Sequence, residues 1–184
     1  MHAVLDEAAY FVKEHVGIFK AANNYDVMDP ESGAVILQCR EPNLGWFTKV
    51  LRFTDYKRMT PFDVRISTPE GEEVLQVKRG WSFFLSKVDV IADAKRIGGF
   101  QQMFFSVGGK FDVLDAEDQK VCTLKGKWTS WDFRFLAGDD ELAHVSKEWA
   151  GMAKELFTSA DNYMLTVSDT VEKGHPIRGL IMAA

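Results

Sequence analysis

The sequence has few of the residues on which catalytic, metal-binding and disulfide-rich proteins depend. Its 184 residues include two cysteines, Cys39 and Cys122, too few for a disulfide framework. Both lie in strand-like apolar runs and are interpreted as small buried hydrophobic side chains. The four histidines lack metal-ligand spacing, and there is no G-x-S-x-G nucleophile motif. We therefore predict that the protein is not an enzyme and has no catalytic residues, no metal site and no cofactor.

The sequence also lacks a signal-peptide pattern at its N-terminus and an excess of basic residues. The N-terminus, Met1 to Glu7, has no basic region followed by an apolar run, so a signal peptide is not predicted. The formal net charge is −5, which argues against a nucleic-acid partner, because such a partner requires a basic face. The glycine pairs Gly98-Gly99 and Gly108-Gly109 are not followed by Lys-Ser or Lys-Thr in the frame of a phosphate-binding loop and are expected at strand ends. These absences predict a cytoplasmic protein.

The C-terminal segment 177–184 is apolar almost all round, apart from Arg178. A segment of this kind must be buried in a protein core or in lipid. Its eight residues reach only ~12 Å as a helix, whereas the apolar core of a bilayer is ~30 Å thick. We predict a short helix that plugs the inside of the domain.

A repeated pattern of an apolar residue, Asp and a second apolar residue predicts most of the upstream structure. Each copy precedes a turn rich in Pro, Gly or Asp, and a second apolar run follows. The five copies are Tyr25-Asp26-Val27, Phe62-Asp63-Val64, Val88-Asp89-Val90, Phe111-Asp112-Val113 and Trp131-Asp132-Phe133. Alternation along a strand predicts hairpins with the aspartate on the outer, solvated face. Five hairpins supply roughly ten strands, which favours closure into a barrel, and we expect one domain over residues 1–184.

The stretch after His144 is ambiguous. Residues 144–149 are consistent with the return strand of the fifth hairpin, whereas Trp149, Met152 and Leu156 have helical spacing. Tyr163 to Val167 is predicted as the last strand before the tail.

Two basic segments interrupt the acidic sequence. Residues 44–59 have the apolar spacing of an amphipathic helix, and a second basic segment is Lys78-Arg79-Gly80-Trp81, which Phe83 and Phe84 follow. Both segments are consistent with contact to anionic lipid headgroups, where Lys, Arg and Trp are favoured. The favoured interpretation is a connector helix whose charges are solvated and a turn that leads into a buried strand, because basic amphipathic helices are common in soluble proteins. The candidate lipid-binding residues are Lys49, Arg52, Lys57, Arg58, Lys78, Arg79 and Trp81.

Two longer motifs carry a family resemblance. Val145-x-Lys147-x-Trp149-x-Gly151, followed by Glu155-x-Phe157-Thr158-x-Ala160-Asp161-Asn162-Tyr163, resembles the signature of the phospholipid scramblase family. Asn24-Tyr25-Asp26-Val27 and Gly108-Gly109-Lys110-Phe111-Asp112-Val113 resemble its bacterial members, which are close to the plant LURP-one-related proteins. The resemblance implies a mainly β, tubby C-terminal-like fold with α, in which about twelve antiparallel strands close around a hydrophobic C-terminal helix.

The chain departs from this family in several features. Animal scramblases carry a palmitoylated cysteine run and a Pro-rich N-terminal extension, and neither is present here. Their calcium motif is matched by Asp161 and Asp169, but Ser159 stands at one acidic position, which implies a weak site because Ca²⁺ prefers several carboxylates. Relatives usually continue past position 184 with more apolar residues, which implies a short version of the protein or a shortened chain.

Two functions are consistent with these features. The first is a non-enzymatic peripheral phospholipid-binding barrel that contacts an anionic surface on the inner membrane face. Lipid flip-flop is expected less than headgroup binding, because a water-soluble barrel gives lipids no path through a bilayer. The alternative is a cytoplasmic protein that binds a protein partner or an apolar ligand and has no membrane role. One fold hosts many functions, so the fold alone does not decide between them.

Overall fold

The structure is a computed structural model that describes residues 1–14, 24–42, 60–80, 87–102, 110–127, 132–147 and 162–184. Within these residues, twelve strands form one closed antiparallel barrel, in which each strand pairs with its sequence neighbours and the first strand pairs with the last. The strands are β1 Ala9–Glu14, β2 Tyr25–Met28, β3 Val35–Arg40, β4 Phe62–Ser67, β5 Glu73–Arg79, β6 Lys87–Ala92, β7 Lys95–Gln102, β8 Lys110–Asp115, β9 Lys120–Lys127, β10 Asp132–Ala137, β11 Asp140–Ser146 and β12 Asn162–Val167. A 3₁₀ helix, Ala3–Asp6, precedes β1, and helix α1, Pro176–Met182, follows β12. The predicted fold is confirmed.

The repeated aspartate pattern forms the five predicted hairpins, from β2–β3 to β10–β11. Their turns are stabilised by the expected chemistry. Asp29 Oδ1 accepts hydrogen bonds from the backbone N–H of Glu31 and Ser32 at 2.9 and 2.6 Å. Asp115 Oδ1 does the same for Glu117 and Gln119 at 3.0 and 2.8 Å. In these two hairpins, an aspartate that accepts hydrogen bonds from its own turn marks where the first strand ends.

Strands β1 and β12 close the barrel by pairing with each other. The last strand was predicted over residues 163–167, and β12 covers it. The sequence predictions missed β1. Its adjacent Tyr10 and Phe11 are both buried, so the strand lacks the apolar–polar alternation by which a half-exposed strand is recognised. Residues 144–146 belong to β11, and the predicted helical stretch beyond them lies outside the described residues.

Helix α1 lies inside one end of the barrel, as the apolar tail predicted. His175 caps it, because its Nδ1 accepts from the backbone N–H of Ile177 at 3.1 Å, and Pro176 occupies the first turn. Leu180 and Ile181 are 1% and 2% exposed. The helix packs against β6, β7 and the 3₁₀ helix, so the barrel core continues into the C-terminal segment.

The glycine pair Gly98-Gly99 lies inside β7, so the expectation that it marks a strand end is wrong. Gly98 has φ +149°, and a Cβ there would collide with the carbonyl oxygen of Leu114 and lie 3.1 Å from both methyl groups of Leu180. β7 therefore needs glycine at this point for two reasons, the backbone conformation and the close approach of α1. The second predicted pair, Gly108-Gly109, lies outside the described residues.

Arg178 is the one charged side chain of α1, and it is buried with 6% exposure. Its guanidinium donates to four backbone carbonyl oxygens, two in the N-terminal segment and two in the loop before α1. The acceptors are Leu5 O and Glu7 O at 3.3 and 3.1 Å, and Val171 O and Glu172 O at 2.7 and 3.0 Å. Asp6 Oδ1 lies 3.8 Å from its Nε. The Arg178 side chain thus links the N-terminal segment to the C-terminal segment by hydrogen bonds beside α1.

Candidate functional site: basic residues on the barrel surface

The structure describes two of the seven predicted lipid-binding residues, Lys78 and Arg79 at the end of β5. The other five, Lys49, Arg52, Lys57, Arg58 and Trp81, lie outside the described residues. The predicted amphipathic helix over residues 44–59 lies there too. As a lipid-binding set, all seven residues stay a prediction.

Arg79 is half-buried, and its guanidinium is turned toward the protein. Its Nε and Nη2 both donate to the carbonyl oxygen of Thr60, at 3.2 and 2.7 Å. The guanidinium carbon lies 4.8 Å from the centre of the Phe62 ring, a cation–π distance. These contacts anchor the chain as it enters β4, so binding to a phosphate would compete with contacts that Arg79 already makes.

Lys78 points outward and is exposed. Its Nζ lies 3.9 Å from Asp63 Oδ2 on the neighbouring strand, which is a loose ion pair. Such surface pairs contribute ~0–1 kcal/mol, so Lys78 can turn toward an external anion at little energetic cost.

The aspartates of the repeated pattern lie on the outer face, and each meets a basic side chain. They were interpreted simply as solvated groups, and the structure adds partners to all five. The pairs are Asp26–Arg40 at 2.6 Å, Asp63–Lys78 at 3.9 Å, Asp89–Arg96 at 2.8 Å, Asp112–Lys120 at 2.7 Å and Asp132–His144 at 2.8 Å. Positive charge at these positions is therefore largely compensated within the barrel surface.

A second group of basic residues, not predicted from the sequence, lies on β8, β9 and β10. Lys110 on β8 is directly opposite Lys125 on β9, and Lys125 is directly opposite Arg134 on β10. Like charges in opposed positions repel each other. The signal that could have found them is the hairpin register, counted outward from the turn at 115–118. A bulge at Val113/Leu114 shifts that register by one residue, so counting alone would have placed Leu124 opposite Lys110.

The two cysteines lie inside the barrel and are chemically protected. Cys39 and Cys122 are free, with 8% and 2% exposure. Burial raises the pKa of each thiol to about 12, so neither forms the thiolate that a nucleophile requires at neutral pH. Their interpretation as buried apolar side chains is confirmed.

Comparison with known proteins decides the family. The model of the Scramblase family matches residues 11–182, nearly the whole chain. The chain belongs to the Scramblase family. An X-ray structure of an Arabidopsis thaliana protein is similar over 95% of this chain and 89% of that chain, with a TM-score of 0.52 and 11% identity. At this identity the likeness concerns the fold alone, and it agrees with the tubby-like barrel.

Of the two calcium positions that the scramblase resemblance implies, the structure of this Scramblase-family chain describes one, Asp169. Asp169 is exposed in the loop after β12, and Asp161 lies outside the described residues. Among the residues that are described, no three His, Cys, Asp or Glu side chains are grouped so that they could hold a metal ion. No described helix has the length and hydrophobicity that crossing a membrane would need.

One surface pair of the Scramblase-family barrel gives a pH-dependent prediction. A hydrogen bond from His144, and more weakly the charge of Arg134, lower the pKa of Asp132. A carboxyl whose pKa is lowered by folding stabilises the protein above its ordinary pKa of ~3.9, and this contribution is lost as the pH falls through the lowered pKa. In His144→Ala, the pKa of Asp132 should rise toward its ordinary value, as measured by carbon-13 NMR titration of the carboxyl group.

Arg134→Gln is the matched control, and we expect it to raise the pKa of Asp132 less than His144→Ala does, because His144 is the larger cause. An Asp132 titration that is the same in His144→Ala and in the wild type would contradict the assignment of this hydrogen bond.

Proposed function

We propose that this Scramblase-family chain is a non-enzymatic peripheral protein that binds anionic phospholipid headgroups with the outer surface of its barrel. The observation that carries the proposal is that α1 fills one end of the barrel, with Leu180 and Ile181 buried in the core. This packing favours a ligand that binds to the outside of the barrel. Exposed basic side chains such as Lys78 on an acidic chain supply charge for such a contact.

The apolar-ligand alternative has less support from the packing. Around α1, a Cβ on Gly179 would lie 2.6 Å from Met1 Cε and 2.9 Å from Ile97 Cδ1, so this part of the interior has no room even for one added methyl group. A storage protein needs a cavity comparable in size to its ligand. The interior of the described barrel end is packed like a protein core instead.

The proposed setting is the cytoplasmic face of a membrane. Anionic lipids of that leaflet attract basic segments with about 1 kcal/mol per Lys or Arg near the surface, and this attraction is screened within a Debye length. Binding should therefore require anionic lipid and weaken as salt rises. Calcium is not part of the proposal, because Ser159 replaces one of the acidic residues of the family motif.

The test is co-flotation with phosphatidylcholine vesicles that contain or lack phosphatidylserine. The wild type should float only with the anionic vesicles. Substitution of Lys49, Arg52, Lys57 and Arg58 by Glu should abolish flotation, because at ~1 kcal/mol for each lost cation the affinity falls by more than about 100-fold.

A charge-matched comparison makes this experiment specific. Lys57→Glu/Arg58→Glu changes the net charge as much as Lys95→Glu/Lys173→Glu does, and the latter two lysines are exposed outside the predicted site. Equal binding by both double variants would remove the site assignment. A wild type that binds no vesicles would reject the lipid proposal in favour of the protein-interaction function.

A further inference from the structure

The outer face of β8, β9 and β10 carries a row of basic residues that the proposed site does not include. Val113 is packed in the core, so strand alternation places Asp112 and Lys110 on the outer face. The register then sets Lys110, Lys125 and Arg134 side by side across three strands. Opposed positions in neighbouring strands bring side chains into contact range, so this arrangement concentrates positive charge that folding itself does not favour.

The charges in this row are compensated unequally. Arg134 donates to Glu141 Oε2 at 3.0 Å and lies 3.4 Å from Asp132 Oδ1. Lys125 is exposed and forms no hydrogen bond or ion pair with any residue that the structure describes. It stands between two other cations without a counter-charge of its own in that part of the chain, and an external anion would relieve this repulsion.

A surface groove of ≈ 560 Å³ lies beside this row and is lined by two of its members, Lys110 and Lys125. Its charged lining residues are Lys110, Lys120 and Lys125, and none of the described lining residues is acidic. We call it the lysine groove. Lys120 approaches Asp112 at 2.7 Å from one side, and Thr123 contributes a hydroxyl to the wall between Lys120 and Lys125. Lysine ammonium groups have rotatable donors, so the three lysines that line the groove can bind an oxyanion in more than one orientation.

We propose that the lysine groove binds the phosphate-bearing headgroup of an anionic phospholipid at a membrane surface. This inference rests on the proposed function and adds a site for it on β8–β9, apart from the seven residues predicted from the sequence. Charge complementarity is the argument. The chain as a whole is acidic, yet three lysines line this groove, and Lys125 forms no hydrogen bond or ion pair with a described residue. An anionic surface would supply the counter-charge that Lys125 lacks among the described residues, and low ionic strength strengthens the contact.

The test substitutes Lys125→Glu and measures co-flotation with phosphatidylcholine vesicles containing phosphatidylserine. The new carboxylate would lie opposite both Lys110 and Arg134, so the fold should not lose stability, and a thermal melt checks this. Vesicle binding should fall at least ~10-fold, since a cation is replaced by an anion at the contact. Lys173→Glu, in the loop between β12 and α1, makes the same charge change outside the groove and should bind within ~3-fold of the wild type.

The outcomes separate this inference from the proposed function. If the wild type and Lys125→Glu bind anionic vesicles equally, the lysine groove is not the site, although the protein still binds lipid. If the wild type binds no vesicles, the proposed function fails. In that case, thermal stabilisation by inorganic phosphate is measured. If phosphate stabilises the wild type but not Lys125→Glu, the ligand of the lysine groove is a soluble phosphate compound and not a membrane.

Discussion

Replacing Arg178 by methionine is expected to lower the free energy of unfolding by about 3–5 kcal/mol. Methionine fills a similar volume but leaves four backbone carbonyl oxygens, in Leu5, Glu7, Val171 and Glu172, without their donor. Removing one partner of a buried charged hydrogen-bond network costs this much because the remaining polar groups stay desolvated. Urea unfolding followed by tryptophan fluorescence measures the change.

Two other arginine substitutions show whether the network is the cause. Arg178→Lys keeps the charge but loses the planar fork of donors, so an intermediate loss is expected. Arg65→Met removes an exposed arginine, whose side chain is 47% exposed and pairs with Glu73 at 3.1 Å, and it should cost less than ~1 kcal/mol. If Arg178→Met lowered the free energy of unfolding no more than Arg65→Met does, the hydrogen bonds of Arg178 between the chain ends would not contribute to stability.

Gly98→Ala should destabilise the barrel by about 2–6 kcal/mol. The backbone conformation of Gly98, at φ +149°, costs ~1–3 kcal/mol for a residue with a Cβ. The added methyl group also collides with the Leu114 carbonyl oxygen and crowds Leu180 of α1, and overpacking of this kind costs ~1–3 kcal/mol more. Thermal and urea unfolding of the variant measure the sum.

Gly138→Ala separates the two contributions. Gly138 also has a positive φ, +64°, but a Cβ there would meet nothing within 4 Å. Its substitution should therefore cost only the conformational part, ~1–2 kcal/mol. Equal losses in the two variants would mean that the close packing of α1 against β7 contributes nothing.

The hairpins could be predicted because their signals are local. An aspartate between two apolar residues marks a strand with one wet face, and the turn residues that follow mark its end, as at Asp26 and Asp29. The burial of the C-terminal segment could be predicted because an apolar segment that is too short to span a bilayer is expected to lie in the protein core. β1 could not, because Tyr10 and Phe11 are both buried and the strand carries no alternating pattern.

The candidate site was less predictable than the fold. The sequence singled out basic residues by their clustering along the chain, and Arg79 shows the weakness of that signal, since its guanidinium is held by Thr60 and Phe62. The lysine groove brings together residues from two strands that are separated by a turn. Its members share no sequence cluster, and the bulge that aligns Lys110 with Lys125 has no evident sequence signal. That residues 1–184 form one domain stays a prediction.

The sequence by itself determined the strand-rich architecture, the outward aspartates and the burial of the C-terminal helix, because these follow from residue patterns only a few positions long. The scramblase resemblance, which the family match over residues 11–182 confirms, also lies in the sequence. Only the tertiary structure decided which charges meet. Ion pairs such as Asp89–Arg96 depend on strand register, and the hydrogen bonds of Arg178 depend on how the two chain ends pack. Those are non-local properties, because a shift of one residue in a β ladder sends each side chain to the other face.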